Sequence, residues 1–512
     1  MLQGQSSKSR IEIKKKIHKF RGHEGLLKFI KGMDDTVLVH FDPDIDGEIA
    51  GILACKFLVK HGKKFQWYLN DNRAHGFGLP LDKVTGRDII AVDFLITPIQ
   101  IIELTDAGCN IVSIDHHVNV DYFVDIESDY GSRGIIVNNQ YPFEEDDGRY
   151  LSGAGVVFEL FCSIDPEFDT LDNRALVGLT LLSDVRDIEN PYARYYLTDL
   201  YNHKMKGYIG YLIKNTLGEK DYGFGVPRMD RNYVDYTFSP AINACLRFNQ
   251  GTMVTEFFLG SGEIDLGYHK LQKKLVEEIS SKLKVRKFSN LTVCFFYETD
   301  ITGGTSVIYY EDGKIVDKEI LSSFVGLVAS RMLDGYRSCI CYMIAKDKNS
   351  KSFVKRASLR GNINGLDYIS IINNLPEEIG KGIKGVGHRS ACGIKYLKPN
   401  KVLFSRLNDE FNNLERNSNY KKKIIEVDNL SFFVSRNGKA IGEENMYMLS
   451  QNKTYVRYTG TNIQKKNGYT SAQEYIVDGI SVMCFDSNVN FDNGLILPMQ
   501  ERGNLRLYLE EG

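Results

Sequence analysis

The stretch His40-Phe41-Asp42-Pro43-Asp44-Ile45-Asp46-Gly47 puts three carboxylates and an imidazole within seven residues. Acidic groups at that density repel one another unless a cation neutralises them, so the pattern points to metal binding. A calcium loop also begins D-x-D-x-D-G, but it needs a bidentate Glu at its twelfth position. Counted from Asp42, that position is Leu53, and the preceding residues read as a strand rather than a helix. A calcium loop is therefore rejected. Asp115-His116-His117, Asp93 and Asp184 extend the set of donors. Mixed imidazole and carboxylate ligands suit manganese or another borderline transition metal better than calcium. Taken singly, each has a plainer reading: His residues often cap or satisfy a core, and Asp184 alone reads as a helix cap. Together they point to one site.

The elements that must position these groups follow from hydrophobic patterning. Val37-Leu38-Val39, Ile89 to Val92 and Ile111 to Ile114 read as short buried strands, and Ile49 to Val59 as a helix between the first two. Strand alternating with helix from Thr36 to about Asp184 predicts an α/β domain on a parallel sheet, with function at the carboxyl ends of its strands. Polar residues stand at three such ends. Leu266, Leu271, Leu275, Ile279 and Leu283 follow helical spacing and predict a long amphipathic linker helix. A second α/β unit follows: strands Leu291 to Tyr297, Thr305 to Tyr310 and Ser338 to Ile344, helix Phe324 to Leu333, and the Gly-rich segment Gly380 to Gly393. Beyond Lys421, Ser431 to Ser435, Thr454 to Tyr458 and Leu505 to Leu509 predict a small β-rich domain of barrel type.

Composition narrows the function. The chain has 512 residues, 43% hydrophobic and 25% charged, which is room for two or three globular domains. Its net charge of -2 means that affinity for a polyanion must come from a local basic groove. One is present: Lys381, Lys384, Arg389, Lys395, Lys398 and Lys401 occur with no acidic residue among them. The nine cysteines are scattered, with no zinc spacing and no disulfide framework, so reduced buried thiols are expected. The Lys-rich stretch from Lys8 to Arg21 precedes no apolar signal core, and no 18-residue apolar run occurs, so a cytoplasmic protein without membrane insertion is expected. No Gly-Lys-Ser/Thr phosphate loop is present, so ATP is not an expected partner.

His40-x3-Asp44-x-Asp46, Asp93, Asp115-His116-His117 and Asp184 resemble the four ordered motifs of the DHH phosphoesterases. Several stretches are similar to the RecJ-like single-strand exonuclease branch: Tyr68 to Arg73 with Gly76-Phe77-Gly78-Leu79, Leu151 to Val156, and Pro240-Ala241-Ile242-Asn243-Ala244 with Arg247. Gly326 to Arg331, Ser358-x-Arg360 and Gly385-x-Gly387-His388-x2-Ala391-x-Gly393 resemble the DHH-associated domain. The resemblance spans about residues 36 to 398. It departs at Val386, where the family carries Gly, and at Leu321 to Val325, where the branch carries His-Pro-Gly.

The resemblance implies a division into a DHH domain over 1–262 with a basic arm at 1–22, a linker helix over 263–286, a DHH-associated substrate-binding domain over 287–400, and a C-terminal domain of OB-like kind over 401–512. It implies two manganese ions, with magnesium as the substitute. His40, Asp44 and Asp93 would hold one; Asp46, Asp93, His116 and Asp184 would hold the other. Two cations about 3.5–4 Å apart can activate a water and stabilise the attacking and leaving oxygens of a phosphodiester. Asp42 and Asp115 would assist locally. His117 is placed as a phosphate contact or acid, with a structural histidine as the alternative. Ser358, Arg360, Gly385, Gly387, His388, Arg389, Asn243 and Arg247 would bind substrate, since glycine lets phosphate approach backbone amides closely.

Three functions compete: a 5′-directed exonuclease on single-stranded DNA, a phosphodiesterase of cyclic dinucleotides or short oligonucleotides, and a non-catalytic nucleic-acid-binding protein. The last would show a lost ligand, and every ligand position is filled. In the C-terminal domain, Phe433, Arg436, Tyr455, Arg457 and Tyr458 could form a stacking platform, with strand packing the plainer reading. That domain is also where protein partners would dock.

Overall fold

The computed structural model describes residues 20, 23–33, 36–70, 76–94, 96–117, 133–140, 148–184, 186, 190–202, 234–310, 313–333, 338–347, 349–361, 366–388, 391–417, 424–432, 455–466, 472–485, 489–492, 494–501 and 504–511. The chain forms two compact units: residues 1–243, 251–264 and 422–512, and residues 244–250 and 265–421.

In the first unit, β1 (Thr36–Phe41), β2 (Lys64–Leu69), β3 (Asp88–Val92), β4 (Asn110–Asp115) and β5 (Gly134–Asn138) form a sheet in the order β2-β1-β3-β4-β5. Every pairing is parallel. The central strands are buried along almost their whole length, as parallel strands covered on both faces must be, which explains their unbroken Val and Ile runs. Register does the positioning. Phe41 pairs with Val92, and Val92 pairs with Ile114. The next residue on each strand is Asp42, Asp93 or Asp115, so the three carboxylates leave the sheet side by side.

Helix Ile45–Lys60 begins four residues before the predicted Ile49, because Asp44 caps it: its side chain accepts from the Gly47 amide at 3.1 Å. Such a cap contributes about 1 kcal/mol. This helix is buried on nearly every side, so its sequence is apolar all round instead of striped. It packs against helices Gly153–Ile164 and Leu171–Ser183, with the rings of Phe57 and Phe161 stacked at 4.1 Å.

The second unit is built on a mixed sheet in the order β12-β13-β11-β10-β7-β6, comprising β6 (Lys284–Lys287), β7 (Thr292–Tyr297), β10 (Ser338–Lys346), β11 (Ser352–Gly361), β12 (Lys384–His388) and β13 (Ala391–Lys395). The segment expected as a linker holds helix Gly267–Ser281 followed directly by β6. Leu271, Leu275, Val276 and Ile279 of this helix are buried with Cys294, Phe296, Val328 and Cys339. Its apolar stripe thus belongs to this unit's core. The stretch expected as a strand over Thr305 to Tyr310 contains β8 (Val307–Tyr309), which pairs with β9 (Ile315–Asp317) as a separate hairpin. Tyr309 is 73% exposed there, so β8 has no buried face to seat in the main sheet.

At the C-terminus, β14 (Ile424–Val427), β15 (Tyr455–Tyr458), β16 (Ile463–Lys465), β17 (Gln473–Val477), β18 (Ile480–Cys484), β19 (Gly494–Glu501) and β20 (Asn504–Glu511) form one sheet in the order β14-β15-β19-β20-β18-β17-β16. Ser431 lies in a helical turn, Leu430–Phe432, and not in the predicted strand, because Asn429 and Asp478 side chains accept from the amides of Ser431 and Leu430. Val456 and Tyr458 are buried in this sheet's core, while Arg457 is exposed and pairs with Glu426. Phe433 and Arg436 lie outside the described residues.

Candidate metal centre

His40 is on β1, Asp42 follows that strand, and Asp44 and Asp46 flank the start of helix Ile45–Lys60. Asp93 follows β3, Asp115 ends β4 and leads into His116 and His117, and Asp184 caps the end of helix Leu171–Ser183. The fold brings residues up to 142 positions apart (184 − 42) into one cluster. His116 is its hub: Nε2 lies 3.0 Å from Asp93 Oδ1 and 3.6 Å from Asp46 Oδ2, and Nδ1 lies 3.6 Å from Asp184 Oδ2. Ligand atoms of Asp46, His116 and Asp184 lie within 4.8 Å of one another, as do those of Asp42, Asp44 and Asp93, and those of Asp93, Asp115, His116 and His117. His40 enters none of these groups. Its buried ring is boxed by Tyr68, Phe77 and Phe94 at 5.1, 5.1 and 4.6 Å.

Several of these donors are held by devices of their own. Asp44 spends one oxygen on the helix cap, leaving the other for a cation. Asp46 is gripped by the start of helix Gly153–Ile164: its Oδ2 accepts from Gly153 N at 2.7 Å and its Oδ1 from Ala154 N at 3.1 Å. Gly153 is required there, since a Cβ would come 2.4 Å from Asp93 Oδ1. Asp93 itself sits at φ 64°, a left-handed conformation that Asp and Asn tolerate and branched residues do not. The backbone of the histidine pair is pinned from the end of β5: Gln140, just past it, donates to the His116 carbonyl and Asn138, its last residue, to that of His117, both at 3.0 Å. His117 Nδ1 lies 2.8 Å from Asp115 Oδ1.

The electrostatics are those of a site short of positive charge. Burial, then the charges of Asp184 and Asp44, pushes the Asp46 carboxyl up to about 7. Burial, with Asp46, Asp44, Asp42 and Asp115 around it, raises Asp93 well above the carboxylate range. Burial lowers His40 to about 4, and burial with the neighbouring His117 lowers His116 to about 3. Both imidazoles are thus neutral at pH 7, the form that ligates metals. Burial works against a charged His117, but the charge and hydrogen bond of Asp115 outweigh it and raise His117 to about 10. Burial would raise Asp115, yet its pairing with His117 keeps it below the ordinary value. A divalent cation fits this set: Asp93 Oδ1 and His116 Nδ1 are buried without a well-aligned hydrogen bond, and mixed imidazole and carboxylate donors face one another.

Of the residues expected to bind substrate, the second unit brings Ser358 and Arg360 together on β11, with Arg360 Nη1 donating to Ser358 Oγ at 2.6 Å. Gly326 lies against the guanidinium: a Cβ there would come 2.6 Å from Arg360 Nη2. Ser358 pairs across β13 with Gly393, and Gly393 with Val386 of β12. Gly385, Gly387 and His388 lie on β12; Arg389 is outside the described residues. Asn243 and Arg247 share helix Ser239–Arg247, and Arg247 Nη1 donates to Gln272 at 3.1 Å.

Sequence reading singled out Leu151 to Val156 but not the hold of the Gly153 and Ala154 amides on Asp46, and it missed the Asn138 and Gln140 anchors and Arg186. Ser152 as a helix cap before Gly153-Ala154-Gly155 could have flagged free amides at a helix start. Nothing in the sequence marks Arg186, whose Nη1 lies 3.8 Å from Asp184 Oδ2.

The cluster, with Asp42, Asp93 and Asp115 at the carboxyl ends of parallel strands and Asp46 and Asp184 at helix ends, is a set of donors that could hold a metal ion. Residues 36–182 match the DHH family, N-terminal domain, and Asp184 lies two residues beyond the match. The first region of the chain is therefore a DHH-family domain. Among solved structures, the chain is similar to RecJ from Thermus thermophilus in complex with Mn2+, at 16% identity and a TM-score of 0.62, covering 98% of this chain and 72% of that one. The same protein in complex with Mg2+ gives 14% identity and a TM-score of 0.54, with 98% and 71% covered. An exonuclease RecJ bound to manganese gives 15% identity and a TM-score of 0.51, with 79% and 97% covered. No curated protein matches by sequence. The fold is RecJ-like.

Proposed function

We propose that the chain is a metal-dependent phosphodiesterase, an exonuclease that digests single-stranded DNA from its 5′ end to mononucleotides, with two manganese ions, or magnesium in their place. The observation that carries this reading is the buried group Asp46, His116 and Asp184 beside Asp42, Asp44 and Asp93, an excess of negative charge that a RecJ-like fold holds at its strand ends. His40, Asp44 and Asp93 would hold one ion, and Asp46, Asp93, His116 and Asp184 the other. Bound metals would supply an activated water and stabilise charge on the phosphate. Asp115 orients His117, which is one-third exposed and so able to contact a phosphate or protonate a leaving oxygen. Asp42 steadies the acidic turn.

In the second unit, Ser358, Arg360, Gly385, Gly387, His388, Arg389 and Arg247 would bind the strand; Asn243 of the first unit is a further proposed contact. Lys384 and Lys395 stand directly opposite each other across β12 and β13, both exposed. Like charges in that register destabilise a sheet, and a polyanion laid across them removes the cost. ATP has no place in this reading. Among the described residues no helix is long and apolar enough to cross a membrane, and a cytoplasmic location is proposed.

The test is incubation of the metal-stripped protein, with and without added manganese, with end-labelled single strands, duplexes and cyclic dinucleotides. Manganese-dependent release of mononucleotides from the 5′ end of single strands is expected. Full activity in excess chelator would sink the reading. Preferential cleavage of cyclic dinucleotides would replace it with a small-substrate phosphodiesterase.

A further inference from the structure

We infer that Arg186 is a catalytic residue of this centre, contacting a phosphoryl oxygen of the substrate; this rests on the phosphodiesterase reading above. Its guanidinium is anchored on one side by the chain itself: Nε donates to the Tyr150 carbonyl at 3.5 Å, and Nη2 donates to the Arg149 carbonyl. Those two anchors fix the plane of the group and turn Nη1 toward Asp184, whose Oδ2 also lies 3.6 Å from His116 Nδ1. At 3.8 Å the Nη1 contact is too long for a hydrogen bond, so among the described residues the ion pair with Asp184 does not engage those protons. The side chain is 18% exposed, enough for an anion to reach it.

The physical argument turns on charge. A guanidinium is always protonated: in the metal-free protein it offsets the carboxylates, and once cations are bound there it is left to serve an anion that comes between them. Once the Asp184 carboxylate serves a cation, its attraction for Arg186 weakens. The arginine is then a preset donor aimed at the edge of the centre, matched to the planar, bidentate recognition of phosphate. The anchors lie in the turn immediately before Gly153 and Ala154, whose amides hold Asp46, so the same short segment sets both the donor and a ligand. Ordering costs are met in advance, as preset charge stabilisation requires.

The experiment measures manganese and inorganic phosphate binding to the full chain by calorimetry, for the wild type, R186A, R186Q and R186K. Wild type should bind manganese and then phosphate. R186A and R186Q should keep the manganese stoichiometry and affinity but bind phosphate about tenfold or more weakly, the effect of one lost charge-assisted hydrogen bond. R186K, which keeps the charge without the fork, should fall between, and it carries the test if the other two fail to fold. Unchanged phosphate affinity in R186A or R186Q overturns the inference. Loss of manganese together with phosphate also overturns it, since Arg186 would then only shape Asp184. A wild type that binds no manganese removes the phosphodiesterase reading, and the inference with it.

Discussion

The two units carry opposite charge in opposite surroundings. In the first, Asp42, Asp46, Asp93 and Asp115 are almost wholly buried. In the second, Lys381, Lys384, Lys395, Lys398 and Lys401 are all exposed. Buried carboxylates cannot be screened by water or salt, so their repulsion has to be met by protons or by a cation at fixed geometry. Exposed lysines are screened and individually weak, and they act by number. Substitutions in the first unit should therefore be all-or-none, and those in the second graded and salt-dependent.

The strongest contrast is expected at Asp93. Asp93→Asn keeps a residue that tolerates the left-handed backbone and removes a charge surrounded by Asp46, Asp44, Asp42 and Asp115. On the proposed assignment Asp93 would serve both ions, so hydrolysis should fall by roughly a thousandfold or more. The thermal midpoint of the metal-free protein should rise at the same time. Near-normal turnover in this variant means the site has been misassigned. Gly153→Ala comes next. The added methyl presses on Asp93 Oδ1 and disturbs the amides that hold Asp46, so manganese affinity should drop about 10–100-fold with the fold intact. Calorimetric titration with manganese checks it, and wild-type affinity would show that the close approach relaxes freely.

Metal-free protein should also respond to pH in a defined direction. Asp46 takes up its proton near 7 in the folded chain but near 3.8 when unfolded, so its raised pKa makes the fold more stable as pH falls. His117, raised to about 10, adds stability in the same direction down to its unfolded value of 6.5. His40 and His116, lowered to about 4 and 3, oppose this only as pH falls toward 6.5 and below. Between pH 8 and 6.5 the midpoint should climb by roughly 2–4 °C, the equivalent of about 1 kcal/mol. Saturating manganese should flatten the profile. A midpoint that falls across that window would mean the carboxylates are not repelling one another.

The smallest effect belongs to the second unit. Lys395→Ala with Lys398→Ala should lower the slope of log affinity against log salt for a long single strand by about 0.7 per lost phosphate contact. Binding of a dinucleotide should scarcely change. Equal losses on long and short substrates would favour the small-substrate enzyme.

Residue type and order in the sequence named Asp44, Asp46, Asp93, the Asp115-His116-His117 run and Asp184, which the fold brings into groups that could hold a metal ion; His40, named with them, enters none of those groups. The parallel strands were legible because burial on both faces leaves an unbroken apolar run. What stayed hidden depends on distant partners. Helical spacing announced the helix around Leu271 and Leu275, but not that its apolar stripe fills the second unit's own core. Thr305 to Tyr310 has strand composition, but only packing decided that β8 would form a separate hairpin.

By itself, then, the sequence determined which acidic and imidazole side chains are available and the strand ends that carry several of them, because both are local properties of side chains and periodicity. Tertiary structure alone decided how that chemistry is held. Asp46 meets amides 107 and 108 residues away, and Arg186 is anchored on carbonyls 36 and 37 residues distant. Backbone amides and carbonyls are the same in every residue type, so no pattern of letters marks which of them will face a carboxylate or a guanidinium.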